Sequence, residues 1–347
     1  MIGYPKVSIN ILNWNKWQHL LKCLESVYQI TYPNYDVVIV DNASQDGSVE
    51  KAKEWAAGKI TIEGKFVQYR RECKPTSYIE YEKRDVGSGS DMEKKLSALP
   101  SVKKLIILKN ERNDGAGKAL NFGIKYVLDA LNPGYILLLA NDVVVAPNAL
   151  SELIGVAMRE PNAGILGPKI CDYANPEGVP WSEGGLINYW TGNFIQRGPK
   201  LDKLAKGKDA VEVDWMPLNG ALLSRQLLQT VGILDETFFW SLEELDLSLR
   251  AKEHSFKIML VPESKIWHDD MSSPEYKRKF SGTRLYYTPR NQLILFRKHW
   301  RGLKLISVIS FFILANFKYL FLFLLKSRNW DNLKTYARGL WDSLRGR

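Results

Sequence analysis

The stretch LLLANDVVVAPNAL, residues 137–150, decides how the chain folds. A run of apolar residues stops at Asn141 and Asp142, and a second apolar run follows before Pro147. The first run reads as a buried strand, with the short apolar segment bounded by turn-forming residues. A carboxylate set at its end needs a reason, because open α/β sheets bind ligands beyond the carboxyl ends of their strands.

Outward from there, strand and helix signals alternate. KVSINIL (6–12), YDVVIVDN (35–42), KLIILKN (104–110) and YILLLAND (135–142) read as strands. Between them, HLLKCLESVYQ (19–29) puts Leu20, Leu24 and Val27 on one helical face, and SVEKAKEWAAG (48–58) is a polar helix closed by Gly58. GKALNFGIKYVLDALN (117–132) buries Leu120, Ile124, Val127 and Leu131. This alternation predicts an open α/β sheet flanked by helices. Residues 59–104 break the rhythm with mixed charge and a GSGS run at 87–90, and read as an insertion with a mobile loop at its tip.

With 347 residues and 45% hydrophobic content the chain can bury a sizeable core, here expected as one domain over 1–296 with an appendage over 297–347. Cys23, Cys73 and Cys171 are far apart and form no CxxC pair, so neither a disulfide framework nor a thiolate zinc site is suggested and a reducing compartment fits best. The start, MIGYPKVSINILNW, lacks the long apolar stretch of a signal peptide, so a cytoplasmic location is expected.

The net charge of +10 is concentrated at one end: residues 297–347 hold eleven Lys and Arg against two acids, nine of the ten surplus charges. The same segment contains LISVISFFILANFKYLFLFLL (305–325), interrupted by Asn316 and Lys318. In the following NWDNLKTYARGLWDSLRGR, Trp330, Leu333, Ala337, Leu340, Trp341 and Leu344 recur at helical spacing, with Lys334, Arg338 and Arg345 on other faces. Basic residues beside aromatic and aliphatic ones fit an anionic membrane surface rather than nucleic acid. Peripheral attachment to the cytoplasmic face of a membrane is the expectation, and a helix pair packed on the main domain is the alternative.

Three strand ends carry polar groups that would converge on one rim: Asn13 and Asn15, Asp41 and Asn42, and Asn141 with Asp142. Each alone could be turn chemistry; three together point to a ligand site. NDGAGKALNFG (113–123) is not a Walker loop, which would need Gly at 112 and Ser or Thr at 119 where Arg112 and Ala119 stand. Leu120 likewise breaks a dinucleotide fingerprint starting at Gly115. The glycines still allow phosphate to approach a helix N-terminus closely.

As a set, VSINILNWNKWQHLLKCLESV, VVIVDNASQDGS, NDGAGKALNFGI, ILLLANDVVVAP, LNGALLSRQLLQTVGILDETFFWSLEELDLSLRA and VPESKIWHDD resemble a family 2 inverting glycosyltransferase of the GT-A fold, in the rhamnosyltransferase-like subgroup. The resemblance covers most of residues 6–270. It implies an α/β, GT-A type nucleotide-diphospho-sugar transferase fold, a nucleotide-diphosphate sugar donor, a glycan or lipid-linked acceptor, and Mg²⁺ or Mn²⁺. The carboxylate matched by Asp41 recognises the pyrimidine ring in that family. Its metal motif falls on Ala140, Asn141 and Asp142, with Asp142 the expected ligand and His268 completing the site. Ala140 stands where the family usually has an acid or amide. Asn13, Asn15, Asn42, Gly115, Lys118 and Asn121 would line the donor site with Asn141, and Asn219 and Gly220 its floor. The acceptor and phosphate side would be shaped by residues 181–185 and 192–200.

SLEELDLSLR supplies Glu243, Glu244 and Asp246 at a helix start, with Leu242, Leu245 and Leu249 as its buried stripe. The helix dipole alone favours acids there. The resemblance places the general base on Glu244, one methylene longer than the family's Asp, with Glu243 as the second candidate. Two other readings stay open: a nucleotide-sugar hydrolase with paired carboxylates, and a membrane-attached sugar-binding protein with a degenerate metal site.

Overall fold

The computed structural model describes residues 3–75, 77–83, 99, 103–178, 180–195, 207–269, 281–322 and 330–345, the side chains of 281 and 318–322 apart. Its centre is a parallel strand group, β1 (Val7–Asn13), β2 (Tyr35–Asp41), β3 (Ser77–Glu82), β4 (Lys104–Lys109) and β5 (Tyr135–Ala140). With β6 (Val143–Val145), β7 (Ala163–Asp172), β10 (Val211–Glu212), β11 (Leu222–Ser224) and β12 (Lys257–His268) these form one ten-stranded sheet ordered β10-β12-β7-β11-β5-β1-β2-β4-β3, with β6 on β12. β11 runs antiparallel between β5 and β7, which makes the sheet mixed. A separate hairpin joins β8 (Leu186–Asn188) to β9 (Asn193–Ile195).

Strand parity sorts the apolar residues into two cores. Val37, Ile39, Leu105, Ile107, Leu137 and Leu139 face one side, under α1 (Trp17–Val27), α2 (Ser48–Ala56) and α4 (Ala149–Arg159). Val38, Val40, Ile106, Leu108, Ile136 and Leu138 face the other, with α3 (Ala116–Tyr126), α5 (Arg225–Val231) and α6 (Glu243–Glu253). Period-two alternation therefore serves both faces at once, and each strand reads as a continuous apolar run. The chain leaves β1 towards β2 on one flank and returns to β5 on the other. The carboxyl ends of β1 and β5 thus border a topological switch point, where sheets of this kind bind ligands.

Residues 59–104 contain more than a loop. A short bridged turn (Gly64 with Val67) leads to β3, which extends the sheet as a parallel edge strand on β4. The GSGS run at 87–90 lies outside the described residues, as do 196–200.

The C-terminal segment is helical: α7 (Ser281–His299), α8 (Gly302–Leu322) and α9 (Trp330–Leu344). The expected boundary at 296/297 falls inside α7, whose last residues belong to the main domain. Lys298 and His299 reach Asp246 of α6 at 2.6 and 2.8 Å, and Trp300 is buried beside Phe296 and Phe312. α9 packs closely on α7. A side chain on Gly339 would start 2.2 Å from the Tyr286 carbonyl oxygen, and Tyr286 Oη donates to Asp342 Oδ2 at 2.7 Å. No helix among the described residues is long and apolar enough to cross a membrane. The alternative of a packed helix pair thus accounts for one side of these helices. Their other side remains exposed.

Candidate active site

The three polar strand ends do converge, through side-chain amides. Asn141 Nδ2 donates to Asn13 Oδ1 and to the Asn15 carbonyl oxygen, both at 2.7 Å. Asn13 Nδ2 in turn donates to Asp41 Oδ1 at 2.7 Å. Ser44 closes the ring: its Oγ donates to Asp41 Oδ1 at 2.6 Å and its N–H to Asp41 Oδ2 at 3.0 Å. Asn15, with φ of 59°, anchors the adjoining turn by accepting from Gln45 N at 2.8 Å. Asp41 is therefore 2% exposed, and its Oδ1 is fully engaged; only Oδ2 keeps a free lone pair.

Asn42 belongs to a second network. Its carboxamide links Asn110, Asn113 and the Asp114 N–H, and so ties the end of β2 to the loop before α3. Two expected donor-site residues prove to be structural. Asn121 is 1% exposed, and its amide both donates to the Leu234 carbonyl at 2.9 Å and accepts from the Leu234 N–H at 3.0 Å. It holds the segment that leads to α6, with no group left for a ligand. Gly115, at φ of +84°, has its open side filled: a Cβ there would stand 2.6 Å from the Phe239 ring. The glycine admits Phe239 rather than a phosphate on that side. Lys118 is exposed one turn into α3, with Nζ 4.0 Å from Glu236. Asn219 accepts from the Ala140 N–H at 3.0 Å, which sets it beneath the end of β5. Gly220, at φ of +90°, leaves room for Pro168 and Ile266.

Asp142 and His268 meet because β6 pairs antiparallel with the end of β12, His268 opposite Val143. His268 Nε2 lies 3.4 Å from Asp142 Oδ1, and the imidazole sits against Trp181 with ring centroids 5.6 Å apart. Both groups are nearly buried, yet Asp142 Oδ1 and His268 Nδ1 have no hydrogen-bond partner. A buried polar atom left without a partner costs free energy, so such a pair needs a third body. A divalent cation fits: carboxylate oxygen and imidazole nitrogen are ordinary ligands of Mn²⁺, and oxygen of Mg²⁺. Among the described residues no group of three or more His, Cys, Asp and Glu could hold a metal ion, so these two side chains are a pair and not a full ligand set.

His19, Lys22 and Asp269 flank the pair and were missed in the sequence. The Asp269 N–H donates to the Asp142 carbonyl at 2.7 Å, Lys22 Nζ binds Asp269 Oδ2 at 2.9 Å, and His19 Nε2 lies 3.8 Å from that oxygen. Burial lowers the pKa of His19, so it favours the neutral form. The helical spacing of His19 and Lys22 was visible; their approach to residue 269 was not.

At the start of α6, burial and the neighbouring Glu244 push Glu243 up to about 8, and its Oε2 has no partner. Burial also raises Glu244, which is the more exposed of the two. Asp246 behaves oppositely. Although burial opposes its charge, the hydrogen bond from His299 and the charges of Arg250 and Lys298 hold it down to about 2. Within one helical turn, burial thus raises both glutamates while Asp246 is held low.

A model of the family described as "Glycosyl transferase family 2" matches residues 8–74 and 89–218, more than half of the chain. The chain belongs to glycosyl transferase family 2. The low-salt glycan biosynthesis hexosyltransferase Agl10 of Haloferax volcanii is 28% identical over 146 residues, 42% of this chain and 46% of that protein. The dTDP-rhamnosyl transferase RfbF of Shigella flexneri is 23% identical over 209 residues, 58% of this chain and 66% of that protein. The chain thus matches about half to two thirds of the length of these curated relatives. The mannosyltransferase PcManGT of Pyrobaculum calidifontis, solved with GDP-Man and Mn²⁺, aligns with a TM-score of 0.52 at 12% identity, covering 100% of this chain and 77% of that one. The mixed sheet flanked by helices is GT-A-like.

Proposed function

We propose that this family 2 chain is an inverting glycosyltransferase that moves a sugar from a nucleotide-diphosphate donor to a glycan or lipid-linked glycan acceptor. The observation that carries this reading is the Asp142–His268 pair at the switch-point rim, with Asp142 Oδ1 and His268 Nδ1 free of hydrogen bonds, where a donor's diphosphate would lie. It agrees with the relatives' names, hexosyltransferase and dTDP-rhamnosyl transferase, and with a neighbour solved with GDP-Man and Mn²⁺.

Asp142 and His268 would hold Mg²⁺ or Mn²⁺, which supplies positive charge against the diphosphate when bound. The chain's own residues do the rest. Asn13 and Ser44 hold Asp41 in orientation, with Asn141 fixing Asn13 in turn, so that its remaining lone pair can accept from a base N–H. Glu244, in its charged form, takes the proton of the acceptor hydroxyl as that oxygen attacks the anomeric carbon, and the nucleoside diphosphate leaves from the opposite face. Glu243, whose charged form is opposed by burial and by the neighbouring Glu244, is the second candidate for the base. A panel of UDP-, GDP- and dTDP-sugars, screened by thermal shift with and without Mn²⁺ and then by product analysis with acceptor glycans, tests the assignment. Free sugar released equally with and without acceptor would make the chain a hydrolase, and no metal-dependent shift with any donor would leave only sugar binding.

The C-terminal helices support peripheral attachment to an anionic, cytoplasmic membrane face. Leu303, Ile306, Ile313, Leu314 and Phe317 are 59–75% exposed along one side of α8, and Trp330, Trp341 and Leu344 are exposed on α9. Lys304 on α8 and Lys334 and Arg338 on α9 are exposed basic residues of the same helices.

A further inference from the structure

We propose that Asn291, outside the segment matched by the family model, is a positioning residue that aims the carboxylates of α6. The turn before α6 is built from two consecutive non-glycine residues in the left-handed region, Ser241 at φ of 67° and Leu242 at 75°. L side chains adopt this conformation at a cost, and a pair of them persists only where the surroundings over-determine it. The φ angles of these two residues set the direction in which Glu243 and Glu244 leave the helix start.

Asn291 supplies the restraint. It is fully buried on α7, and its Nδ2 donates to the Trp240 carbonyl at 2.8 Å and to the Ser241 carbonyl at 2.9 Å. One amide group thus spans the two peptide units that flank the first left-handed residue. The orientation of the carboxamide is itself fixed. Arg290 Nη1 donates to Asn291 Oδ1 at 2.7 Å, and a guanidinium has no acceptor, so the NH₂ must face the carbonyls. The same guanidinium nitrogen reaches the Thr237 carbonyl at 3.2 Å, at the beginning of the loop. Leu242 completes the lock by burying its side chain with Leu245, Leu249 and Leu293. α7 therefore acts on the loop through hydrogen bonds to its backbone, with no need to touch a substrate.

This inference rests on α6 carrying the base, and its test separates the two. In Asn291→Ala and in Asn291→Asp, which keeps the volume and the Arg290 contact but offers oxygens to two carbonyls, hydrogen exchange of the amides of 241–246 should rise. Release of nucleoside diphosphate from the donor selected in the UDP-, GDP- and dTDP-sugar panel should lose kcat by ~10²-fold, the order expected for a misplacement of about 1 Å. Donor KM should change little. Adding Ser241→Gly, which adopts a positive φ without cost, should restore part of both kcat and protection in the Asn291→Ala background. Unchanged exchange and kcat in the Asn291 variants, with Glu244→Gln inactive, would overturn the proposal. So would a loss that Ser241→Gly leaves untouched and that falls equally on donor affinity. If Glu243→Gln and Glu244→Gln both turn over normally while exchange at 241–246 still responds to Asn291, the restraint stands and the base reading fails.

Discussion

Single residues divide here by what their polar atoms still lack. Asn121 and Asp41 were both legible as strand-end or helix-start polar groups, but the first spends its whole amide on Leu234 and the second keeps one lone pair. Asp142 Oδ1 and His268 Nδ1 keep no hydrogen bond, and the metal role proposed for them rests on that deficit. Asp142→Ala should lower turnover on the order of 10²–10³-fold, the usual worth of one group that stabilises transition-state charge, and should abolish the Mn²⁺-dependent thermal shift. Calorimetric titration of Mn²⁺ checks the binding half of this expectation. For the base, Glu244→Gln keeps size while removing basicity, and kcat should fall about 10²–10⁴-fold with donor affinity intact. Its pH dependence follows from burial. A base works deprotonated, so activity is lost as pH falls through its folded pKa; because that pKa is raised above 4.5, the loss should begin at a higher pH than for an ordinary glutamate. An acid limb at or below pH 4.5, or one that survives in Glu244→Gln, would place the base elsewhere.

Elements were readable wherever period and length agreed. The strands β1, β2, β4 and β5 and the helices between them follow from their apolar runs and stripes, because parallel strands covered on both faces leave few alternatives. The edge strand β3 was not, since Ser77–Glu82 alternates polar and apolar residues inside a charged segment and gains its identity only from β4. Nor could the sequence reveal that α7 grips α6. Asp246 shows how strongly they are joined: its buried carboxylate meets Lys298 at 2.6 Å and His299 at 2.8 Å on α7, besides Arg250 of its own helix at 2.8 Å. Asp246→Asn should destabilise the fold by about 3 kcal/mol at pH 7, the low end for breaking a buried ion pair because Lys298 is partly exposed and retains Asp235. The sign with pH is set by the lowered pKa. Stability from this carboxylate is complete above pH 4 and is lost as pH falls towards about 2, so the two proteins should converge over that interval. Denaturant titrations at pH 7, 4 and 2.5 measure it, and a constant difference would show that the charge is not what Asp246 contributes.

The whole molecule presents two unlike ends: a closed, amide-laced rim over the sheet, and a helical end whose outer side is apolar and basic. Composition alone disclosed the second, since charge surplus and aromatic content coincide there; it could not disclose that α8 is apolar on both sides, one packed through Val308 and Phe312 and the other open. The open stripe from Leu303 to Phe317 spans about 21 Å of helix. That is large for a soluble surface, and with Trp330, Trp341, Arg338 and Arg345 exposed on α9 it matches the chemistry of a headgroup interface. Cutting the chain after Phe296 would not test this, because it would strip Lys298 and His299 from Asp246 and Trp300 from the core. Charges placed on the open side leave both intact. Ile306→Glu with Leu314→Glu, at positions 64% and 68% exposed, should keep the melting temperature and the release of nucleoside diphosphate near those of the parent protein. Sedimentation with vesicles rich in phosphatidylserine should fall at least tenfold, and binding by the parent should weaken as salt rises from 50 to 500 mM, about the range over which screening of surface charge becomes strong. Equal sedimentation of both proteins would remove the membrane reading. A parent that dimerises in analytical ultracentrifugation, and a double variant that does not, would instead assign the stripe to a second copy of the chain.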